Sequence, residues 1–251
     1  PALILDFKDD YAKPDYAAAE GFTVHDASFG SLPFNPMVPP IDRMSGRVNP
    51  TAHLHELANM LQRIYGLGDQ QAFALREAMK ETYGISGVGT KPFVPEESQQ
   101  YLPFEAIRDV LEREKEKTLL GRLSPVFDLG LFSEGDAALT LAELLQTPTV
   151  IRLGQLPGDQ VKNAVAEFFL MALHSYLMRP EQPHALRQVL VLDEAWRLVS
   201  SPCLKPLMLE GRAFGLGVIV ATQFPRQLPE EISGSTATRL FFGQTKAEQV
   251  R

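Results

Sequence analysis

Cysteine is nearly absent from this sequence. The single one, Cys203, cannot close a disulfide within the chain, which excludes a disulfide-stapled fold and points to a reducing, cytoplasmic setting in which Cys203 serves packing. No run of about eighteen or more apolar residues occurs, and no basic, apolar leader, so a soluble chain is expected. A surplus of positive charge is also missing. With 24 Lys and Arg against 31 Asp and Glu, the net charge of -7 argues against a generally basic nucleic-acid surface and leaves room only for local phosphate contacts. Repeats and low-complexity tracts are lacking, and His25, the one histidine on an expected early strand, has no second ligand at metal-binding spacing.

What is present is a large apolar content, 45% of 251 residues, enough for one large or two small domains. The stretch 188–223 organises the rest. Residues 189–192 (VLVL) form a β-branched run without alternation, as expected of a strand covered on both faces of a parallel sheet. Asp193 and Glu194 follow at once. Two carboxylates at the carboxyl end of a buried strand sit where open α/β sheets bind ligands, and there one can hold a metal while the other orients a water. The plainer alternative is that Asp193 caps the following helix. A second apolar run, 218–221, ends on Thr222 and Gln223, and Glu210-Gly211-Arg212 lies between the two runs.

Taken in order, 2–5 (ALIL) reads as a strand ending on Asp6, followed by an acidic loop through Asp9 and Asp10, and 22–25 reads as a second strand. Proline, glycine and asparagine then mark an irregular connection over 33–50. Apolar spacing predicts a helix from Thr51, as cap, to Gly66; another from Asp69 to Gly84; and a third after Pro103 that runs into the solvated charge run 112–117. The sheet is expected to resume at 149–153 after a short amphipathic segment, 139–145. A long helix capped by Asp159 and closed by Pro180 follows, and 238–243 is expected to be a last strand. A helix between strands implies crossover units and a mainly parallel sheet. The organisation expected is 1–32 as the first part of an α/β core, 33–124 as a mostly helical insertion, and 125–251 as the second part.

Residues 84–91 (GISGVGTK) resemble a phosphate-binding loop only superficially. Thr90 and Lys91 stand in the wrong order, the preceding segment is helical, and Pro92 discourages the helix whose N-terminus would hold phosphate.

Together VLVLDEAW, EGRAFGLGVIVATQFP, ATRLFFGQT and ILDFKDDY resemble the motor ATPase core shared by HerA-like helicases, FtsK-like DNA translocases and the pumping ATPases of type IV secretion. The resemblance spans nearly the whole chain. It implies a RecA-like sheet, ATP with Mg2+, a hexameric ring and double-stranded DNA, with a nuclease or defence protein as a further partner. By position it implies that Asp193 holds the magnesium through water, Glu194 polarises the attacking water, Gln223 senses the γ-phosphate and Arg212 reaches an adjacent subunit's nucleotide. Asp6 and Asp10 fall in a loop near the cofactor, Asp10 in place of a glutamate. Asp9 replaces the loop's glycine, which puts its backbone geometry in question because glycine supplies positive φ there.

The glycine-rich loop and its lysine have no counterpart here; in this family they precede the Asp6 strand, on a strand in the middle of the sheet, so a first core strand and the phosphate cradle are both expected to be missing. The sequence is therefore expected to be part of a longer chain, on the further argument that residues 3–5 would otherwise be a buried strand with an unpaired edge. The other class of function is a non-catalytic assembly module with a motor-like fold; a secretion or conjugation motor is a third reading. Trp196 is expected to pack the following helix onto the sheet rather than to stack on a base or contact adenine.

Overall fold

Five short apolar runs form one sheet in the computed structural model, which describes residues 1–29, 32–42, 44–132, 140–177 and 185–242. In chain order the main elements are β1 (Ala2–Asp6), α1 (Pro14–Glu20), β2 (Thr23–Asp26), α2 (Pro50–Tyr65), α3 (Asp69–Ile85), α4 (Ala106–Arg113) and α5 (Lys117–Phe127). Then come α6 (Leu141–Leu144), β3 (Thr149–Arg152), α7 (Gly158–Leu177), β4 (Gln188–Leu192), α8 (Leu204–Glu210), β5 (Leu216–Val220) and α9 (Glu230–Gly234). Strand order is β2-β3-β1-β4-β5, and every pairing is parallel. Leu3, Ile4, Leu5 and Asp6 are all buried, as a strand covered on both faces requires.

The position of β1 corrects one expectation. Its edges are not left unpaired: β3 bonds one side and β4 the other, both from this chain, so the edge argument for missing sequence fails. Residues 238–242 are a second correction. They form no strand, and Leu240 and Phe242 lie exposed, while Gly243 is outside the described residues. Apolar content without a bonded neighbour does not make a strand. Leu139 and Pro180, expected to start one segment and close the long helix, also lie outside the described residues.

Packed beside the sheet, α2 to α5 share with it one continuous core running from Leu3 and Leu5 through Leu57, Leu75, Phe104 and Leu123 to Phe168. Phe104, Phe127, Phe132 and Phe168 form its aromatic centre, with ring centroids 5.1 to 5.6 Å apart in edge-on and tilted pairs. Asn49, not Thr51, caps α2. Its side chain accepts from the Ala52 amide and Pro50 takes the first helical position, whereas Thr51 donates its hydroxyl to the Thr90 carbonyl. Similarly, Asp69 and Asp159 sit in the first turns of α3 and α7 rather than ahead of them. The charge run after Pro103 is broken at Lys115, whose φ is +62°, and α5 starts beyond it. Residues 84–91 begin in the last turn of α3 and continue beyond it, with no strand directly ahead of them. No helix among the described residues is long and apolar enough to cross a membrane.

Candidate functional site

Parallel register brings the carboxyl ends of the strands into one row. Asp26 and Asp6 each stand opposite Arg152, and Leu192 stands opposite Leu5 on one side and Val220 on the other. The row therefore reads Asp26, Arg152, Asp6, Asp193 and Ala221. After β1 the chain leaves toward β2, and after β4 toward β5, which makes the crevice between β1 and β4 the switch point where open α/β sheets bind ligands.

Asp6 organises the β1 side from beneath. Fully buried, its carboxylate accepts backbone N–H bonds from Lys8 (3.2 Å), Asp10 (3.2 Å), Tyr11 (2.9 Å) and Ala12 (3.0 Å), and so folds 7–12 into a fixed loop. The structure thus places Asp6 under the loop, with its oxygens occupied by the chain itself. Asp10 lies exposed on top, its carboxylate 2.9 Å from the Lys13 ammonium. Asp9 adopts φ of +63°, so an aspartate takes the left-handed conformation in the place of the glycine. Its side chain is held by Arg152 Nη2 (3.0 Å) and Gln155 Nε2 (2.6 Å), and a Cβ at Gly154 would collide with it. Burial alone would push the Asp9 carboxyl up, but these bonds bring it below the usual carboxylate range. Arg152 also reaches Asp26 at 2.8 Å, tying β2, β3 and the loop together.

On the β4 side, Asp193 is half-buried. Its Oδ1 accepts the Glu194 amide at 3.0 Å. Burial is the main cause that raises its carboxyl, and neighbouring Glu194 and Asp6 add to it. The capping alternative for Asp193 meets a 3-10 turn, Ala195–Leu198, whose N-cap is Glu194. Glu194 is non-glycine at φ of +55°, 5% exposed, and held at both oxygens: Lys8 Nζ lies 2.6 Å from Oε1 and Trp196 donates its indole N–H to Oε2 at 2.7 Å. Burial pushes its carboxyl up, yet these two donors hold it below its ordinary range. Arg197 stacks over the Trp196 ring, 4.8 Å from its centroid, and pairs with Asp159 of α7. Trp196 is half-buried within a 3-10 turn rather than ahead of a helix, and the contacts that hold it are its bond to Glu194 and the Arg197 stack.

Gln223 lies exposed just past β5, beside this row. Arg212 projects from a 3-10 turn, Gly211–Phe214, and is exposed. No ion pair holds it among the described residues, and Glu231 pairs with Lys205 at 3.0 Å. The structure brings Asp6, Asp193 and Glu194 together and leaves Arg212 outside that cluster, free to meet something else. Sequence reasoning missed Lys8, although it stands in the quoted ILDFKDDY, because a lysine in an acidic loop reads as solvated charge.

The donor set suits magnesium bound through water. Among the described residues no group of three or more His, Cys, Asp or Glu could cage a metal, whereas magnesium keeps several waters and takes one or two carboxylates together with phosphate oxygens. Asp193 can be such a carboxylate. The phosphates of a nucleotide would need a cradle of backbone amides and a lysine, which the described residues do not form.

A mainly parallel sheet flanked by helices with acids at its carboxyl edge is a RecA-like α/β fold. Among solved structures the chain is similar to VirB4 of Thermoanaerobacter pseudethanolicus, at 20% identity and a TM-score of 0.65 over 93% of this chain and 65% of that one. It also overlaps the plasmid coupling protein TrwB in complex with ADP and Mg2+, at 16% identity and a TM-score of 0.44 over 93% of this chain and 66% of that one. The unbound bacterial conjugative coupling protein TrwB gives 13% and 0.44 over 92% and 62%. The chain thus spans slightly less than two thirds of the length of these structures. No protein-family model and no curated protein matches it.

Proposed function

We propose that this chain carries the hydrolytic edge of an ATP-driven, ring-forming motor of the HerA and FtsK kind that moves on double-stranded DNA. The observation that carries the reading is the adjacent pair Asp193 and Glu194 at the carboxyl end of β4, at the switch point of the sheet. Phosphoryl transfer relies on positioning and on neutralising charge over the γ-phosphate oxygens, so it needs a metal, a water-orienting acid and a cation. Asp193 holds the magnesium through water, and Glu194 orients and polarises the attacking water. Gln223, at the end of the neighbouring strand, contacts the γ-phosphate. Arg212, exposed and unpaired among the described residues, is the cation offered to the nucleotide of an adjacent subunit. Such a site is completed only by assembly, which favours a hexamer. Asp10 faces the nucleotide from the loop that Asp6 holds in shape.

A secretion or conjugation motor shares these motifs, because substrate choice resides in attached domains. The test is phosphate release by the full-length protein with Mg2+, with and without linear duplex DNA. Duplex-stimulated turnover is expected. Turnover that ignores duplex DNA supports the secretion reading, and no magnesium-dependent turnover supports a non-catalytic assembly module.

A further inference from the structure

Glu194 in this structure is not poised over open solvent. Its side chain is only 7% exposed, and each carboxylate oxygen already accepts a bond, from Lys8 at 2.6 Å and from Trp196 at 2.7 Å. A group that must orient a water within hydrogen-bond reach has to be accessible to that water. The two holders differ in kind. Trp196 is half-buried and pinned under Arg197, whereas the Lys8 side chain is 41% exposed and stands on the loop at the mouth of the crevice between β1 and β4. Among the described residues the ammonium of Lys8 forms an ion pair with Glu194, and its charge also acts on the neighbouring Asp193 carboxylate. The Lys8 backbone is fixed, since its amide donates to the buried Asp6, but its long side chain can swing.

We propose that Lys8 is a positioning residue that couples arrival of a terminal phosphate to the state of Glu194. Without nucleotide its ammonium holds the carboxylate turned in. When a phosphoryl group carrying about two negative charges enters the crevice, the ammonium pairs with it and releases Glu194 toward the water. Glu194 takes the turned-in pose on a left-handed backbone, φ +55°. This inference rests on the nucleotide reading of the site.

The Trp196 indole N–H reports the clamp directly. In full-length protein its resonance, assigned by its loss in Trp196→Phe, should move in Glu194→Gln and in Lys8→Met without nucleotide. In the wild type it should move on adding Mg2+ with a non-hydrolysable ATP analogue and stay in place with Mg2+ and ADP. Lys8→Met should show no further analogue-dependent shift, while Lys8→Arg, which keeps the cation, should retain one. An unchanged indole resonance in Lys8→Met, or equal shifts with ADP and the analogue, overturns the coupling even if the protein hydrolyses ATP. Nucleotide binding is measured separately by calorimetry. If no nucleotide binds at all, the functional reading has failed and the coupling falls with it, whereas binding without the indole shift sinks the coupling alone.

Discussion

Arg63 on α2 and Glu167 on α7 form an ion pair, 2.5 Å from Nη2 to Oε2, across the seam between the helical layer and the sheet. Glu167 is 1% exposed, and Arg63 reaches it while donating its other nitrogen to Ser200 at 3.1 Å. Removing the arginine strands a buried carboxylate. Arg63→Met should therefore lower unfolding stability by roughly 3 kcal/mol, and adding Glu167→Leu should recover most of that loss, because a buried pair replaced as a whole by apolar groups costs little. Urea unfolding of the three proteins checks this.

Asp6 should matter through its loop. Asp6→Ala leaves four amides, those of Lys8, Asp10, Tyr11 and Ala12, without their acceptor, at about 1–3 kcal/mol for each one that stays buried. Amide exchange at these four positions should accelerate well beyond that of β3. Exchange at wild-type rates would show that the loop holds itself.

Cys203 should be unreactive. Burial, helped by Glu167 and Glu56, pushes its thiol up to about 12, so at neutral pH almost none is thiolate. Alkylation at pH 8 should be at least about a hundredfold slower in the folded chain than in urea, and equal rates would place the thiol in solvent.

Much of this architecture was legible because two-sided burial leaves a mark on sequence. The runs at β1 and β3 are apolar without alternation and buried on both faces. The β4 run, read the same way, alternates buried and half-buried residues, and β5, at the sheet edge, leaves Ile219 exposed. The acids behind β4 stand at a strand end. Sheet order left no such mark. That β1 lies between β3 and β4 depends on pairings far apart in sequence, and 238–242 shows that an apolar run alone does not choose a neighbour. The Lys8 to Glu194 contact joins positions 186 residues apart, and no local spacing announces it. Asp9 in place of glycine reads as a defect in one dimension, yet in three its short side chain is held by Arg152 and Gln155.

Arg212 should act between subunits. In full-length protein Arg212→Ala should leave fold and nucleotide binding intact and reduce turnover by about 10³-fold or more. Mixed with excess Glu194→Gln subunits under verified exchange, it should regain activity, since its own Glu194 can meet a neighbour's intact Arg212. Near-normal turnover of Arg212→Ala alone, with no change on mixing, would make Arg212 a surface residue.

The division of labour between Asp193 and Glu194 is tested most directly by single-turnover ATP hydrolysis together with nucleotide affinity in full-length Glu194→Gln and Asp193→Asn. Glu194→Gln should bind Mg2+-ATP like the wild type and hydrolyse it slower by about two orders of magnitude or more, as loss of a water-polarising carboxylate predicts. Asp193→Asn should lose magnesium-dependent affinity. Identical behaviour of the two variants, or wild-type hydrolysis by Glu194→Gln, would contradict the site described here.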